Sequence, residues 1–458
     1  MADEYYIHNP QGTFGPFSSG ELENAPDPLA LYSTSPDGPW RSFDEFFQKE
    51  VPGGESLRDG EKLKIFCPVC GQHYRGELSY IGRKIKCVNC QVKFRVKAPA
   101  EPHRNRGKLI CPHCWKRFNE DELLSISRHP FLTGDPVLGE LVEKRFKAAV
   151  FDSNGVPLDE RGEPSPERAC PVCHLRFPEI LTDDPLFFAA ISGAPFCGKS
   201  QYLKGLVKRC KQIFNPLFNG SFFAVDPVMD KEINRGRASD FPHRLKLNGM
   251  DMKLPHPCLY GLHYSGELQE NNRCLVFYDT DGKNLLPGTD DPCFPVSGHL
   301  SRTGGIIFLL DPFEELQPGQ YAPENILAEE LRRYRNLNNL AAGERGGVPL
   351  VIGISKFDLT ESEIHPVLED FQVARDGMLD MNGIGELSRQ MRELLMKYFP
   401  EVVQVAEEHV RNVYYLPVST SSHFLEERVW ACAETPLLVL LAEAGLLPRI
   451  PLQGEGVS

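Results

Sequence analysis

The sequence predicts a multidomain chain: a mostly parallel α/β domain, preceded by cysteine-held ribbons and by a small α+β module at the start. Three observations lead there. From about Thr182 onward, short apolar runs alternate with longer amphipathic segments, the pattern of strands and helices in a parallel sheet. One of those runs leads into GAPFCGKS, Gly193 to Ser200, which fits GxxxxGK[ST]. Upstream, eight of the fourteen cysteines fall into four CxxC pairs. A chain of 458 residues exceeds what one core organises, so about three or four units are expected. Their boundaries read as 1–50, 61–98, 107–181 and 182–449.

The composition, 41% hydrophobic and 25% charged, is that of ordinary folded domains. The start, MADEYYIHNP, has no basic stretch leading into an apolar one, so no secretory signal is read and a cytoplasmic location is expected. The apolar stretches GGIIFLL and PLLVLLAEAGLL fall short of the roughly 20 residues that cross a bilayer, and read as core segments. A net charge of −13 opposes non-specific nucleic-acid binding by the chain as a whole. Between Glu61 and Lys97, however, nine Lys or Arg stand against two Glu. That basic segment reads first as a solvated face, and as a nucleic-acid contact only if binding proves salt-sensitive.

In a chain without an export signal, paired CxxC knuckles point to zinc rather than disulfides. Cys67 and Cys70 are followed after sixteen residues by Cys87 and Cys90. Four thiolates on two hairpins give zinc the tetrahedral set it accepts, with no open position for catalysis. The segments between are poor in apolar residues, so metal binding would supply much of their folding energy. Cys111 and Cys114 are separated from Cys170 and Cys173 by 55 residues. Spacing favours two consecutive ribbons, but also permits Cys87/Cys90 to share a metal with Cys111/Cys114, leaving the outer knuckles to each other. Cys197, Cys210, Cys258, Cys274, Cys293 and Cys432 are scattered and read as small apolar residues.

The runs FFAAIS, SFFAVD, PCLYGLHY, RCLVFYD, GGIIFLLD, VPLVIGI and NVYYLPV read as strands, several of them buried on both faces. A helix is read around Leu387, Met391, Leu394, Leu395 and Tyr398, and TPLLVLLAEAGLLP as a helix closing on the sheet. GAPFCGKS lies between a strand and the helical QYLKGLVKRCKQ, the context its motif requires. Gly193 and Gly198 let the loop curl so that its amides face phosphate oxygens. Lys199 is expected to reach the terminal phosphates, Ser200 to hold magnesium, and Gln201 to belong to the same nucleotide-contacting set. Asp279, at the end of an apolar strand, is placed to hold magnesium through water, and Gly282 completes DxxG.

At this point the chain resembles the GTPases of the Ras and translation-factor class. The resemblance implies that Gly282 senses the terminal phosphate, that Lys356 and Asp358 of ISKFD read guanine, and that Ser419 of LPVST contacts the base. Ser355 and Thr420 depart from the class pattern, and Lys283 replaces its water-orienting Gln. Lysine cannot accept a hydrogen bond. No threonine occurs from Gln201 to Asp279, so the usual switch threonine is missing and hydrolysis is expected to be slow or assisted. Asp281 and His263 are further polar candidates near the site, each read first as ordinary, a solvated carboxylate and a packed histidine.

Over most of its length, through ICPHCWKRFNEDELL, ACPVCHL and PLFFAAISGAPFCGKS, the chain also resembles bacterial proteins in which zinc ribbons precede a double-GTPase-type domain. That resemblance implies a role in bacterial regulatory or conflict systems. The first fifty residues resemble a bacterial GYF domain, through Tyr6, Gly15, Pro16, Phe17, Leu22 and Trp40, which implies a peptide or protein partner. The reading is therefore a guanine-nucleotide switch using GTP/GDP, Mg2+ and Zn2+, with Lys199 and Asp279 as its catalytic residues. The competing reading is a zinc-ribbon scaffold that holds nucleotide as a structural ligand.

Overall fold

A computed structural model gives the fold. It describes strands within residues 5–42 and 63–95, together with residues 83, 88 and 91, and then residues 108–450 apart from 237–241, 248, 265, 280–281, 290, 292–293, 314–321, 342, 360–372, 376 and 420–432. The chain forms two compact units, Met1–Glu61 and Lys62–Ser458.

The first unit holds a four-stranded antiparallel sheet of Tyr5–Asn9, Gly12–Phe17, Leu31–Ser33 and Arg41–Ser42, with the second strand at one edge and the first beside it. Tyr6, Gly15, Pro16 and Phe17 lie on its strands, while Leu22 and Trp40 fall outside the described residues. In the second unit, Leu63–Phe66 pairs with His73–Gly76, and Lys84–Lys86 with Lys93–Arg95. Each of these hairpins brackets one CxxC pair in sequence. Cys67, Cys70, Cys87 and Cys90 themselves lie outside the described residues.

The rest of the second unit is built on a seven-stranded sheet. Its strands are β1 (Leu186–Gly193), β2 (Gly220–Ala224), β3 (Pro257–Tyr264), β4 (Arg273–Tyr278), β5 (Thr303–Leu310), β6 (Leu350–Ile354) and β7 (Val413–Pro417), in the order β2-β3-β4-β1-β5-β6-β7. Every apolar run read as a strand forms one. From β4 to β7 all neighbours are parallel, and only β3 runs against both of its neighbours. The longer helices are α1 (Lys199–Phe218), α2 (Pro227–Arg235), α3 (Pro323–Leu337), α4 (Met381–Tyr398), α5 (Pro400–His409) and α6 (Thr435–Glu443), and one helical turn, Ile180–Asp183, precedes β1.

The alternation of side chains along β4 divides the packing into two layers. Leu275 and Phe277 enter a core with residues of all six helices. Cys274, Val276 and Tyr278 point to the other face, where Phe188, Leu245, Leu254 and the cysteine knuckles close over them. Side chains of successive strand residues must alternate, so a strand that is apolar throughout has to be covered twice.

The helix read around Leu387 is α4, with Leu387, Met391 and Leu395 buried; Tyr398, in its last turn, is instead exposed. Helix α6 is apolar all round because it is buried all round, the mark of a core helix rather than of a docking surface. A Cβ on Gly305 of β5 would meet Leu440 Cδ2 at 2.6 Å, so the helix lies directly on the sheet. Buried Glu434, at the start of α6, accepts from Arg209 Nη2 of α1 at 2.9 Å. No helix among the described residues is long and apolar enough to cross a membrane. Because Leu440 is fully buried in this contact, Leu440→Ala is expected to lower stability by about 2–5 kcal/mol, read by urea denaturation.

Candidate functional site

Strand β1 lies between β4 and β5, the point where the chain changes direction across the sheet. After β1 it builds β2 to β4 on one side, and after β4 it crosses to β5 on the other. Crevices for ligands open at such switch points, beyond the carboxyl ends of the strands. Gly193 pairs with Leu309, Leu310 with Ile354 and Ile354 with Pro417, so the loops after β1, β5, β6 and β7 leave the sheet at one edge. The sequence-read residues Gly193 to Gln201, Asp279, Lys356, Asp358 and Ser419 all follow strands at that edge.

The loop after β1 has the backbone its glycines suggest. Gly193 has φ +138°, and a Cβ there would lie 2.4 Å from the Leu309 carbonyl oxygen and 2.8 Å from Cys197 Sγ. Gly198 has φ +93° at the N-terminus of the twenty-residue α1. Phe196 also has positive φ and is exposed. Strain of this kind in a residue with a side chain collects at functional loops. The Lys199 ammonium curls over the loop and donates to the carbonyls of Ala194 at 2.7 Å and Gly193 at 3.0 Å. Ser200 Oγ donates to Asp279 Oδ1 at 2.8 Å, so the two residues read as magnesium ligands already face each other. Gln201 is exposed on the first turn of α1. Gly282 begins a short 3-10 turn, Gly282–Leu285, which also carries exposed Lys283.

The SKFD loop is fixed from both sides. Ser355 N donates to Leu310 O at 2.8 Å, and Phe357 N to Val418 O at 3.2 Å. Lys356, at φ 53°, pairs with Asp311 just beyond β5. Asp358 lies on the turn Phe357–Leu359, with its side chain outside the described residues, and half-buried Ser419 follows β7. Of the two further candidates, Asp281 lies outside the described residues. His263 sits at the opposite edge of the sheet, where Nε2 meets Asp184 Oδ2 at 2.5 Å and the ring packs edge-on against Phe223. Its place there is a correction: β3 is antiparallel, so its last residues lie beside the start of β4 and away from the loops.

A buried acid beneath this loop has no motif to announce it. Glu330, on α3, is 4% exposed, and its Oε2 lacks a hydrogen-bond partner among the described residues. Burial pushes its pKa up to about 7, against the opposing pull of Ser192, Arg333 and Lys199. The helical spacing of α3 signals a buried face, but not that an acid occupies it.

The second centre is the cysteine group. Cys111, Cys114, Cys170 and Cys173 are buried, and their sulfurs all lie within 4.8 Å of one another. Among the described residues this is the group whose donors are already gathered for a metal, so Cys111/Cys114 join Cys170/Cys173 and are not shared with Cys87/Cys90. Cys111 Sγ lies 3.7 Å from Cys173 Sγ, and Cys114 Sγ 3.8 Å from Cys170 Sγ. Tetrahedral zinc with Zn–S bonds of about 2.3 Å requires sulfurs about 3.8 Å apart, so the four residues fit that ion. The knuckles repeat one geometry. His113 N and Val172 N donate to Cys111 and Cys170 Sγ, and Trp115 and His174 both take φ near +60°.

These two centres touch, which the sequence reading did not foresee. Tyr278, the last residue of β4 and the one before Asp279, is 2% exposed. Its hydroxyl accepts from Trp115 Nε1 at 2.9 Å and donates to the carbonyl of Pro112, inside the CPHC knuckle. Gly298 leaves room for the Trp115 ring, since a Cβ there would lie 2.2 Å from it. Arg302 Nε donates to Trp115 O at 3.3 Å.

Comparison with known proteins adds a distant relative. Over 227 residues the chain is 24% identical to a protein of Mycolicibacterium smegmatis (strain ATCC 700084 / mc(2)155) described as "Putative ESX-1 scaffolding and assembly protein SaeC". The match covers 47% of this chain and spans 56% of that relative. No protein-family profile matches the chain. Among solved structures, similarity is found to the elongation factor SelB of Methanococcus maripaludis with the GTP analogue GPPNHP (11% identity, 58% of this chain, 35% of that one, TM-score 0.25). It is found also to the "putative nucleolar GTP-binding protein 1" of Plasmodium falciparum (14%, 57% and 87%, 0.26) and to Sup35 with GDP (13%, 53% and 40%, 0.24). Overlaps this loose carry no weight for the fold, which rests on the strand order and loop geometry above.

Two outcomes follow from these contacts. Tyr278→Phe leaves Trp115 Nε1 and the Pro112 carbonyl without their buried partner, and is expected to cost about 1–3 kcal/mol in denaturant melts. Glu330 has a raised pKa in the folded state, so the stability present below its ordinary value of 4.5 is lost as pH rises through about 7. Thermal melts of Glu330→Gln are expected to match wild type near pH 4.5 and exceed it above pH 7, by up to about 3 kcal/mol.

Proposed function

We propose that this edge of the sheet binds a guanine nucleotide with magnesium, and that the chain is a nucleotide-dependent switch with slow or assisted GTP hydrolysis. The 2.8 Å bond between Ser200 Oγ and Asp279 Oδ1 carries the reading, because it joins the hydroxyl and the carboxylate a magnesium ion would need at the mouth of the phosphate loop. Gly193 and Gly198 shape the loop so that its amides and the α1 N-terminus face the phosphates. Lys199 exchanges two carbonyl acceptors for phosphate oxygens. Gln201 and Gly282 flank the phosphates, while Lys356, Asp358 and Ser419 border the base. Magnesium, when bound, would neutralise phosphate charge. Within this reading Lys199 and Asp279 are the residues on which any hydrolysis depends.

Zinc in the Cys111, Cys114, Cys170 and Cys173 group is structural in this proposal, since four thiolates close the coordination sphere. Cys67, Cys70, Cys87 and Cys90 are assigned a second zinc of the same kind. The first unit is assigned a peptide or protein partner, and the chain a cytoplasmic, bacterial regulatory or conflict setting. A second reading, a scaffold with nucleotide as structural ligand, is favoured by Lys283 and by the lack of threonine between Gln201 and Asp279. The scaffolding description of the mycobacterial relative supports keeping it.

Calorimetric titration with GTP, GDP and ATP in magnesium is expected to show both guanine nucleotides binding more tightly than ATP. Lys199→Ala should lose at least tenfold in GTP affinity, about 1.4 kcal/mol, and Asp358→Asn should weaken guanine nucleotides alone. Unchanged GTP affinity in a folded Lys199→Ala protein overturns the proposal. Equal phosphate release from wild type and Asp279→Ala, with GTP still bound, selects the scaffold.

A further inference from the structure

Another group of donor side chains gathers at the same edge, outside both centres. His113 belongs to the CPHC knuckle, and His243 to the first strand of the hairpin His243–Leu247 and Met250–Leu254. His256 immediately precedes β3, and Asp226 caps α2. Four separate pieces of chain thus meet, and what they bring together is three imidazoles and a carboxylate. The ring centroids are 4.9 Å apart for His113 and His243, 4.2 Å for His243 and His256, and 6.1 Å for His113 and His256. Three imidazoles on one tetrahedral ion, with metal–nitrogen bonds of about 2.0–2.1 Å, have centroids roughly 5 Å apart.

The hydrogen bonds leave the needed atoms free. His113 is 6% exposed, and its Nε2 can only donate to the carbonyl of Arg176, at 3.2 Å. That bond places the proton on Nε2 and leaves Nδ1 with a bare lone pair, the arrangement by which metal-ligating histidines are oriented. Nδ1 of His113 and Nε2 of His243 are both buried without a hydrogen-bond partner among the described residues. Each such atom is costly unless something satisfies it. Asp226 Oδ1 accepts from Val228 N and Met229 N, while Oδ2 faces His256 Nε2 at 3.7 Å. Only the cysteine group has all its donors within 4.8 Å among the described residues. For the imidazoles to close on one ion, rings must rotate; the His113–His243 spacing already fits, while the other two must change by about 1 Å.

We propose that His113, His243, His256 and Asp226 form a further, zinc-type metal site, binding a divalent first-row cation through three imidazoles and one carboxylate. The four ligands close its coordination sphere, so the ion pins the knuckle, the hairpin and the loops before β3 and α2 together rather than performing chemistry. Imidazole nitrogen suits such cations, and the four pieces of chain it joins have no covalent tie there.

Elemental analysis of the full chain, purified with zinc, compared with the His243→Gln/His256→Asn double variant, tests this. The expected result is one metal ion fewer per chain in the variant, with its far-UV circular dichroism unchanged. Equal metal content in the folded variant overturns the site, and means that water satisfies the two nitrogens. Should the variant fail to fold, cobalt titration of wild-type protein whose thiolate sites are filled with zinc decides. One further equivalent is expected to give weak visible bands without thiolate-to-cobalt charge transfer, and the absence of those bands overturns the proposal.

Discussion

The loop edge depends on the close approach of β1 to β5 at Gly193. The backbone there comes so near the Leu309 carbonyl that any side chain on Gly193 would overlap it. This contact sets where the chain must turn away from the sheet, and hence where α1 begins and which way Lys199 and Ser200 project. The in-register pairing of β5, β6 and β7 then delivers Asp311, Lys356 and Ser419 to the same level. Residues scattered over more than two hundred positions become neighbours because parallel strands share one direction, and every loop that follows such a strand emerges on the same side.

Much of that arrangement was legible in the sequence. Continuous apolar runs ending in Gly, Asp, Ser or Pro mark buried strands and their exits, and they locate β1 to β7 closely. The tight loop between β1 and α1 was readable because the glycines that shape it lie within a few consecutive residues. What escaped was whatever depends on pairing between distant segments. Tyr278 reads as one more apolar strand residue, and Trp115 as a bulky residue after a knuckle; only the fold brings indole, phenol and the Pro112 carbonyl together. His263 was misplaced for the same reason, since the direction of β3 cannot be read from its own residues. Glu330 escaped because a helix pattern shows which face is buried, and an acid on that face looks like an interruption of the pattern.

The knuckle and the sheet are not independent neighbours. Strand β4 belongs to two cores, and its final residue is bonded into the knuckle while the next, Asp279, is bonded to Ser200 in the first turn of α1. One peptide bond therefore separates the residue held by the knuckle from the carboxylate. The proposed histidine site would add a further tie across the same boundary.

The covering of Phe188, Val276 and Tyr278 by the knuckles also fixes what can fold alone. A parallel sheet normally has helices on both faces, and here the cysteine-rich layer takes the place of helices over part of one face. Cutting the chain just before β1 would leave those side chains facing water, an adhesive surface rather than a free domain. A piece that keeps this face of the sheet covered must therefore begin no later than Leu109, so that the ribbon is the sheet's own lining rather than an appendage to it.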